Sequence, residues 1–330
     1  MKLAALVNGL DHPSYRYRLR AFESVLRERG WDVSVYPLPR HWLGRLFLLR
    51  RLNAADVVFL QRRLLSRGEL LVLRRVARRL VYDFDDAVFH RSSNSPKGPH
   101  SRRRRSRFVA TVRAADAVIA GNAFLAEFAG RYDDQDKVHM IPTCVDPARY
   151  DCAGSGDARV GTELVWIGSA STLKVIRWIP QHLEAIAQAL PQVRLKVICD
   201  VFPESLPIAV IRCPWSTETE APALAAADIG ISWMPDDAWS RGKCGVKVLQ
   251  YMAAGLPVVV NPVGVHREFV VHGKTGFLAE SPEEWGRAVR TLAGDPDLRH
   301  TMGRAGRQMV TVNFSPSRWA AELVAIVAGD

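Results

Sequence analysis

The feature that most constrains the fold of this 330-residue chain is a regular alternation of short apolar runs with longer amphipathic stretches. In the first half the apolar runs read LAALV, DVSVYPL, ADVVFLQ, VYDFDD, DAVIAGN and KVHMIPT. Between them lie helical patterns such as YRLRAFESVLRERG, which ends at Gly30, and LLVLRRVARRL; glycine is a frequent helix stop. Strands that alternate with helices at this spacing predict a parallel sheet with crossover helices.

The pattern restarts after residues 145–162, which are rich in Gly, Asp, Pro and Ser, lack periodicity and are interpreted as a linker. The strands of the second half read ELVWIGS, VRLKVICD, DIGISWMP and PVVVNPV. We therefore predict an α/β protein of two Rossmann-like domains, residues 1–150 and 151–330, whose last helix is free to cross back to the first. Two open parallel sheets in tandem predict a site in the cleft between the domains, at the carboxyl ends of the strands.

Charge is divided unequally between the halves. Residues 1–150 carry 28 Lys and Arg against 15 Asp and Glu, a balance of +13, whereas residues 151–330 carry 17 against 19, a balance of −2. One interpretation is that the first half meets an anionic partner, such as a membrane surface, a phosphate-bearing acceptor or a nucleic acid. The other is a basic surface that serves solubility alone, because charge by itself identifies no partner.

The remaining bulk features predict a cytoplasmic protein. The five cysteines, Cys144, Cys152, Cys199, Cys213 and Cys244, include no pair at C-x-x-C spacing, which favours reduced, partly buried thiols. The N-terminus MKLAALVNGL reads as a first strand rather than a signal peptide, and no apolar stretch reaches the ~18 residues of a membrane span.

The most specific segment, residues 241–264, reads RGKCGVKVLQYMAAGLPVVVNPVG. It combines a basic, glycine-rich loop with the start of a short helix. Gly242 and Gly245 allow close backbone approach, while the helix amides and the cations of Lys243 and Lys247 suit a diphosphate. The alternative is a basic loop before an ordinary helix; two glycines and two lysines at one helix entrance favour phosphate binding.

This segment is similar to the donor-binding motif of glycosyltransferase family 4. The resemblance continues in GVHREFVVHGKTGFL at 264–278, DKVHMIPTCVD at 136–146 and AADAVIAGN at 114–122. It covers nearly the whole chain, with the motifs in the order of that family, and a subgroup shares YRYR, YDFDD and GKCGxK. The resemblance implies the GT-B fold, in which two Rossmann-like domains face each other across a cleft.

The resemblance also implies an activity. A family 4 enzyme retains anomeric configuration, so the implied reaction moves a hexosyl group from a UDP- or GDP-sugar to an acceptor hydroxyl, in polysaccharide or glycolipid assembly. The nucleotide sugar is a substrate, and no cofactor is implied. Lys247 and Lys243 would neutralise the leaving diphosphate.

One departure from the family concerns its two glutamates, eight positions apart, which contact the donor sugar and the nucleotide ribose. They fall on Gly242 and Gln250 here. A glutamine still forms hydrogen bonds to a hydroxyl but carries no charge. Asp236, Asp237 or a backbone amide near Gly245 is the expected substitute for the first glutamate. This departure supports a second hypothesis, a non-catalytic sugar-nucleotide-binding or scaffold protein.

Further donor-binding residues are expected around three turns. Gly168, Ser169 and Ser171, with Lys174 as a charge partner, follow a strand where the resemblance places the diphosphate, although a plain Ser/Thr helix cap explains the same residues. Glu268 follows another strand and lies near the donor in the family. Trp215 is interpreted as packing beside the nucleotide base or, equally, as a core or rim residue.

On the first domain, Arg16 and Arg18 follow the first strand and suit a donor phosphate or an anionic acceptor, because arginine binds phosphate bidentately. The alternative is a solvated helix face. These residues are expected to face the predicted cleft from the acceptor side.

Asp83, Asp85 and Asp86 raise the question of a metal, because carboxylates suit Mg²⁺ or Mn²⁺. The Asp-x-Asp metal motif belongs to the other main glycosyltransferase fold, which has a single domain, so we predict no metal. Asp85 and Asp86 are expected to orient an acceptor hydroxyl or a neighbouring arginine, and Asp83 to be structural. His90 is a candidate acceptor-side base.

Two basic stretches carry the membrane hypothesis. Residues 40–52 interleave Trp42, Leu43 and Phe47 with arginines, and Arg102–Arg105 form a run of four. Such a composition suits a helix on an anionic bilayer, and equally an amphipathic helix packed on a sheet. The expected partners are therefore a nucleotide sugar, an anionic or lipid-linked acceptor and a peripheral membrane surface. A nucleic acid is not expected, since neither a zinc finger nor an RNA-binding aromatic signature is present.

Overall fold

A computed structural model describes residues 1–151 and 161–329; the middle of the predicted linker and Cys152 lie outside them. The chain forms two compact units. Unit 1 comprises Met1–Cys144, Asp236–Cys244 and Pro316–Asp330, and unit 2 comprises Val145–Pro235 and Gly245–Ser315. The basic segment 241–264 therefore begins in unit 1 and continues in unit 2.

Unit 1 is built on a six-stranded parallel sheet. Its strands are β1 (Lys2–Val7), β2 (Asp32–Pro37), β3 (Val57–Gln61), β4 (Arg79–Phe84), β5 (Ala117–Ala120) and β6 (Val138–Met140). Its helices are α1 (Pro13–Arg18), α2 (Glu23–Glu28), α3 (Trp42–Arg50), α4 (Arg67–Val76), α5 (Arg102–Ala114), α6 (Ala123–Gly130), α10 (Ala238–Arg241) and α15 (Pro316–Ala328).

The strands of unit 1 lie in the order β2-β1-β3-β4-β5-β6, and all are parallel. Helices α3 to α6 contribute Leu49, Leu73, Phe108 and Leu125 to the core on one face of the sheet. Helices α2 and α15 pack on another core cluster. The order reverses between β1 and β3, and ligands of such sheets bind at the carboxyl ends of the strands beside this reversal.

Two helices of unit 1 end earlier than the sequence pattern predicts. The predicted helix over YRLRAFESVLRERG is broken at Leu19 (φ −124°, ψ −54°) into α1, a 3₁₀ turn and α2. The pattern there was nonetheless amphipathic, since Leu19, Phe22 and Leu26 are all buried. Helix α4 ends at Val76 because Arg79–Phe84 pairs with β3 and β5 as strand β4.

Unit 2 is built on a second six-stranded parallel sheet. Its strands are β7 (Glu163–Ile167), β8 (Arg194–Cys199), β9 (Ala209–Pro214), β10 (Ile229–Ser232), β11 (Val258–Val260) and β12 (Gly276–Leu278). Its helices are α7 (Ala170–Leu173), α8 (Pro180–Ala189), α9 (Glu220–Ala225), α11 (Val246–Ala253), α12 (His266–Phe269), α13 (Pro282–Gly294) and α14 (Pro296–Asn313).

The sheet order in unit 2 is β12-β11-β10-β7-β8-β9, which is the Rossmann order. Its reversal lies between β7 and β10, so the turn after β7 is the expected ligand site of this sheet. Strand β12 was not predicted, because its three residues are too short for a period to be visible. No helix within the described ranges has the length and apolar character needed to cross a membrane.

Candidate functional site

The start of α11 is the most strongly constrained part of the predicted donor site. Gly245 has φ +57°, a left-handed conformation that favours glycine, and a Cβ there would lie 2.7 Å from Val265 and 2.8 Å from Phe269. The N-cap residue of α11 is Gly245, which has no side chain to cap the helix. The helix dipole at this end favours an anion.

Trp166 of β7 connects this helix start with the turn after the strand. The Nζ of Lys247 lies 4.0 Å from the centroid of the Trp166 ring, a cation–π contact. A Cβ on Gly168 would lie only 2.4 Å from the edge of the same ring. Tyr251 of α11 accepts a hydrogen bond from the Ile167 amide at 3.0 Å. Two regions that the sequence analysis treated separately thus meet at the carboxyl end of β7.

The turn after β7 combines a helix cap with exposed polar side chains, the two possibilities that the sequence left open. The Ser169 amide donates to Thr172 Oγ1 at 3.0 Å, and Thr172 Oγ1 donates back to the Ser169 carbonyl, as in a helix cap. Ser169 Oγ lies 2.9 Å from Ser171 Oγ, and Ser169, Ser171 and Lys174 are exposed. The cap and an open row of hydroxyl groups therefore coexist, and a role in donor binding stays a prediction.

Gln250 and Trp215 belong to one buried hydrogen-bond network. Trp215 Nε1 donates to Glu220 Oε2 at 2.8 Å, and the Tyr150 hydroxyl donates to Glu220 Oε1 at 2.9 Å. Because the hydroxyl proton of Tyr150 is directed to a carboxylate, its oxygen accepts from Gln250 Nε2, at 3.1 Å. Glu220 is 1% exposed and was missed from the sequence, where it is only one acid of the run TETE.

His266 of α12 is fully buried near Lys247. Its Nδ1 lies 2.9 Å from the Asn261 carbonyl oxygen, so the neutral ring carries its proton on Nδ1. Burial, with a contribution from the charge of Lys247, lowers the pKa of His266 to about 4. On the same helix Glu268 is exposed, yet partial desolvation raises the pKa of its carboxyl above the usual value.

The segment 236–244 packs within unit 1. A Cβ on Gly242 would lie 2.7 Å from the Cβ and 2.8 Å from the amide nitrogen of Ala87, so a larger side chain does not fit without a shift. Asn122 Nδ2 donates to the Lys243 carbonyl at 3.1 Å, and Lys243 Nζ lies 5.7 Å from the Trp239 ring centroid. Gly242 thus has a packing role in unit 1, and Lys243 and Lys247 belong to different units.

An ion-pair cluster lies where β3 and β4 end. Arg62 Nη1 lies 3.5 Å from Asp85 Oδ1, and Arg62 also pairs with Asp86. Ser14 Oγ donates to Asp85 Oδ2 at 2.6 Å and accepts from Arg62 Nη1 at 3.1 Å. Arg62 has φ +60°, an unfavourable conformation for a residue with a Cβ, which costs about 1–3 kcal/mol. The expectation that Asp85 and Asp86 fix a neighbouring arginine agrees with this geometry.

This cluster sets the charge state of its members. Burial alone would raise the pKa of Asp85, but Arg62, Arg18 and the hydrogen bond from Ser14 together lower it below its usual value. Burial and the charge of Arg62 lower the pKa of His12. Neither Arg62 nor His12 was identified from the sequence. The left-handed backbone at Arg62 has no local sequence pattern, and its partners Asp85 and Asp86 lie 23 and 24 positions away.

The structure corrects the expectation for Arg18. Its guanidinium donates to Asp83 through Nε at 2.8 Å and to the Ile141 carbonyl through Nη1 at 2.9 Å, and Arg18 and Asp83 are 3% and 1% exposed. Arg18 therefore holds β4 against its neighbours instead of presenting its charge to a ligand, and Asp83 is structural, as predicted. Arg16 is also largely buried, with its guanidinium 5.1 Å from the Tyr17 ring centroid.

His90 is half-buried beside Phe89, with the two ring centroids 4.7 Å apart. Burial and the neighbouring His100 lower the pKa of His90, so the ring is neutral near pH 7. Its role as an acceptor-side base stays a prediction. In residues 1–151 and 161–329, no three His, Cys, Asp or Glu side chains form a group that could hold a metal ion.

The sequence matches a known family in the half that carries the donor-site candidates. Residues 161–295 match the family model for glycosyl transferases, group 1. This segment is therefore similar to the group 1 glycosyltransferases. The matched region contains the turn after β7, helix α11 and helix α12.

Two relatives illustrate the sequence similarity. A GDP-mannose-dependent alpha-(1-6)-phosphatidylinositol monomannoside mannosyltransferase of Mycobacterium tuberculosis is 36% identical over 88 residues, 26% of this chain and 23% of the relative. An alpha-maltose-1-phosphate synthase of Mycolicibacterium smegmatis is 28% identical over 249 residues, 63% of this chain and 61% of the relative. The chain thus spans less than two thirds of the length of either relative.

Solved structures show the fold. Anabaena HepE in complex with UDP and glucose superposes with a TM-score of 0.71 at 18% identity, over 100% of both chains. Sucrose-phosphate synthase of Thermosynechococcus elongatus gives a TM-score of 0.74 at 16% identity, over 100% of this chain and 98% of that one. The prediction of a GT-B protein with two Rossmann-like α/β domains is confirmed. Membership of family 4 in particular stays a prediction.

Proposed function

We propose that this protein transfers a hexosyl group from a UDP- or GDP-sugar to an acceptor hydroxyl, with retention of anomeric configuration, in the assembly of a polysaccharide or glycolipid. Unit 2 binds the nucleotide sugar and unit 1 binds the acceptor. The names of the relatives support this class: one uses GDP-mannose on a phosphatidylinositol mannoside, and the HepE structure holds UDP and glucose.

The observation that carries the proposal is the convergence of α11 and the turn after β7 in unit 2. The start of α11 at the left-handed Gly245 and the ammonium of Lys247 lie at one end of the sheet, at its topological reversal. Such an arrangement binds a diphosphate, because helix amides and a cation both stabilise negative charge. The same groups stabilise the charge that develops on the diphosphate as it leaves the sugar.

On unit 1 the acceptor side is proposed around Asp85 and Asp86. Arg62 pairs with both carboxylates, and the lowered pKa of Asp85 keeps that carboxyl ionised near pH 7. An ionised carboxylate accepts a hydrogen bond from a hydroxyl group and so orients it. Positioning and charge stabilisation, without a divalent metal or a further cofactor, are the proposed sources of catalysis.

We also propose that unit 1 associates with an anionic membrane surface through α3. Trp42, Leu43 and Phe47 on this helix are 60%, 63% and 60% exposed, although large apolar side chains are normally covered. Arg51 extends over the Phe47 ring at 4.3 Å. Aromatic and aliphatic side chains interleaved with arginines on an exposed helix fit the interface of an anionic bilayer.

The donor assignment is tested with Lys247→Ala. A charge-assisted contact to phosphate contributes about 1.5–3 kcal/mol, so affinity for the preferred donor should fall roughly 10- to 150-fold. The measurement is a thermal-shift titration with UDP-, GDP- and ADP-sugars, since a ligand that binds the folded state raises its apparent stability. Lys274→Ala, an exposed lysine of the same unit, is the control. Equal donor affinity in both variants and wild type would remove the site assignment.

A second candidate function is sugar-nucleotide binding without transfer, which the glycine at position 242 favours because it removes a family carboxylate. The two functions differ in turnover. A transferase releases free sugar slowly from the donor when no acceptor is present, whereas a pure binding protein leaves the donor intact over the same time. Chromatographic analysis of the donor after prolonged incubation separates them.

A further inference from the structure

A basic cavity lies in unit 1 between α4 and α5. Its volume is about 340 Å³. Its lining includes four arginines around an apolar floor: Arg67, Arg102, Arg105, Arg113, Val109 and Ala110. Every ionisable side chain that lines the cavity within the described part of the chain is an arginine, so the potential there is strongly positive.

Hydrogen bonds to Ser106, which also lines the cavity, and to Tyr132, which does not, hold three of the arginines in place. Arg67 Nη2 donates to Ser106 Oγ at 3.3 Å. Arg105 and Arg113 both bond Tyr132 through Nε, one to its hydroxyl at 2.9 Å and the other to its carbonyl at 3.2 Å. Because Nε makes these bonds, the terminal nitrogens of Arg105 and Arg113 are the donors left to face an anion. Prior fixation of these long side chains lowers the entropy lost on binding.

The cavity adjoins the exposed apolar surface of the same helix layer. Leu71, 63% exposed, lies one helical turn after Arg67 and therefore on the same face of α4. Helix α3, which carries Trp42 and Phe47, packs beside α4, where Arg45 Nε bonds Glu69 Oε1 at 2.5 Å. The helix layer thus presents arginines and large apolar side chains to solvent together.

We propose that this cavity binds the phosphate headgroup of an anionic membrane lipid. Arginines bind phosphate bidentately, and the Val109 and Ala110 floor accommodates the apolar part of the headgroup region, which an inorganic ion does not possess. The exposed apolar side chains of α3 and α4 enter the adjoining bilayer interface. The inference rests on the membrane association proposed for unit 1 and adds to it a discrete site with a defined ligand.

The test compares two double variants that each remove two positive charges from the helices beside the cavity. Arg105→Ala with Arg113→Ala removes cavity arginines; Arg75→Ala with Arg103→Ala removes exposed arginines that do not line the cavity. General attraction to an anionic surface weakens equally in both. Binding to vesicles of phosphatidylcholine with and without phosphatidylglycerol should fall at least tenfold further in the cavity variant. Equal losses would overturn the proposal.

A second measurement identifies the source of the phosphate. Monomeric dihexanoyl phosphatidate should bind wild type and the Arg75, Arg103 variant but not the cavity variant, as followed by calorimetry, and inorganic phosphate should bind at least tenfold more weakly. Equal binding of the two probes would indicate a simple anion site and refute the lipid assignment. If the cavity variant does not fold, Arg105→Lys with Arg113→Lys keeps the charge, loses the bidentate fork and should weaken phosphatidate binding severalfold.

Neither measurement depends on turnover, so failure of the lipid site and failure of the transferase proposal are distinguishable. A protein that keeps donor binding but shows equal losses in the two double variants lacks the lipid site alone. A protein that binds vesicles selectively through the cavity but no nucleotide sugar retains the lipid site and lacks the proposed activity.

Discussion

Acidification should destabilise unit 2 through His266 before its carboxylates are protonated. His266 is 0% exposed, and its Nδ1 proton is directed to the Asn261 carbonyl oxygen. Its Nε2 is buried and has no hydrogen-bond partner among the described residues. Protonation would place a second cation, fully buried, near Lys247. Burial, with a contribution from the charge of Lys247, therefore lowers the pKa of His266 to about 4.

The sign and size follow from proton linkage. The pKa of histidine in the unfolded chain is about 6.5, so between that value and about 4 the unfolded state binds the proton and the folded state does not. The contribution of neutral His266 to stability is therefore complete above pH 6.5 and is lost as the pH falls toward 4. At roughly 1.36 kcal/mol per pH unit the total is on the order of 3 kcal/mol, of which about 2 kcal/mol is lost by pH 5.

The assay is urea unfolding of wild type and His266→Gln at about pH 7.5 and about pH 5, followed by tryptophan fluorescence, since Trp166 and Trp285 are buried in unit 2. Other titrating groups are common to both proteins and cancel in the difference. Wild type should lose about 2 kcal/mol more than the variant on acidification. The same pH dependence in both proteins would refute the reasoning.

The other predictions concern packing, burial and metal. Gly242→Ala should cost about 1–3 kcal/mol in urea unfolding through overlap with its neighbours, whereas Gly68→Ala, at an exposed position of α4 with open space around it, should be neutral or stabilising. Arg18→Met should cost about 3–5 kcal/mol because it leaves Asp83 buried and unpaired, and adding Asp83→Leu should recover part of the loss. Gln250→Glu should destabilise by about 1–3 kcal/mol at neutral pH and less in acid, where the introduced carboxyl is protonated and again donates; a loss independent of pH would contradict this. Transfer should persist in EDTA, and activity restored only by added Mn²⁺ or Mg²⁺ would show that the proposal of a metal-free reaction is wrong.

Most of the strand framework could be predicted from the sequence because it depends on local periodicity. Each predicted strand of the first half pairs in the sheet, and the glycine that ends the first predicted helix pattern, Gly30, has φ +81°. Boundaries failed where two patterns compete. Around Arg79 the leucines and arginines continue a helical repeat, but these residues form the start of strand β4. Pairing with β3 and β5, which the local pattern does not show, determines that they form a strand.

The side-chain partners of the candidate site could not be predicted in the same way. Arg18 and Asp83 are 65 positions apart, and nothing local distinguishes a buried arginine from one that faces a ligand. Tyr150, Glu220 and Gln250 are joined across 100 residues. Charge and residue type suggested which side chains to consider, but the topology of the sheets determines which of them meet.

The two missing family glutamates illustrate this dependence. At Gly242 the backbone approaches Ala87 so closely that even a Cβ would lie 2.7 Å away, so unit 1 leaves no space for a glutamate. At Gln250 the Tyr150 hydroxyl already donates to the buried Glu220 and needs a donor in return, which a glutamine provides and an ionised glutamate does not. Both replacements thus follow from packing and hydrogen-bond polarity inside each unit. The absence of the two glutamates is therefore weak support for a protein that only binds its nucleotide sugar. The glycine start of α11 beside Lys247 needs neither carboxylate and remains the stronger indication of function.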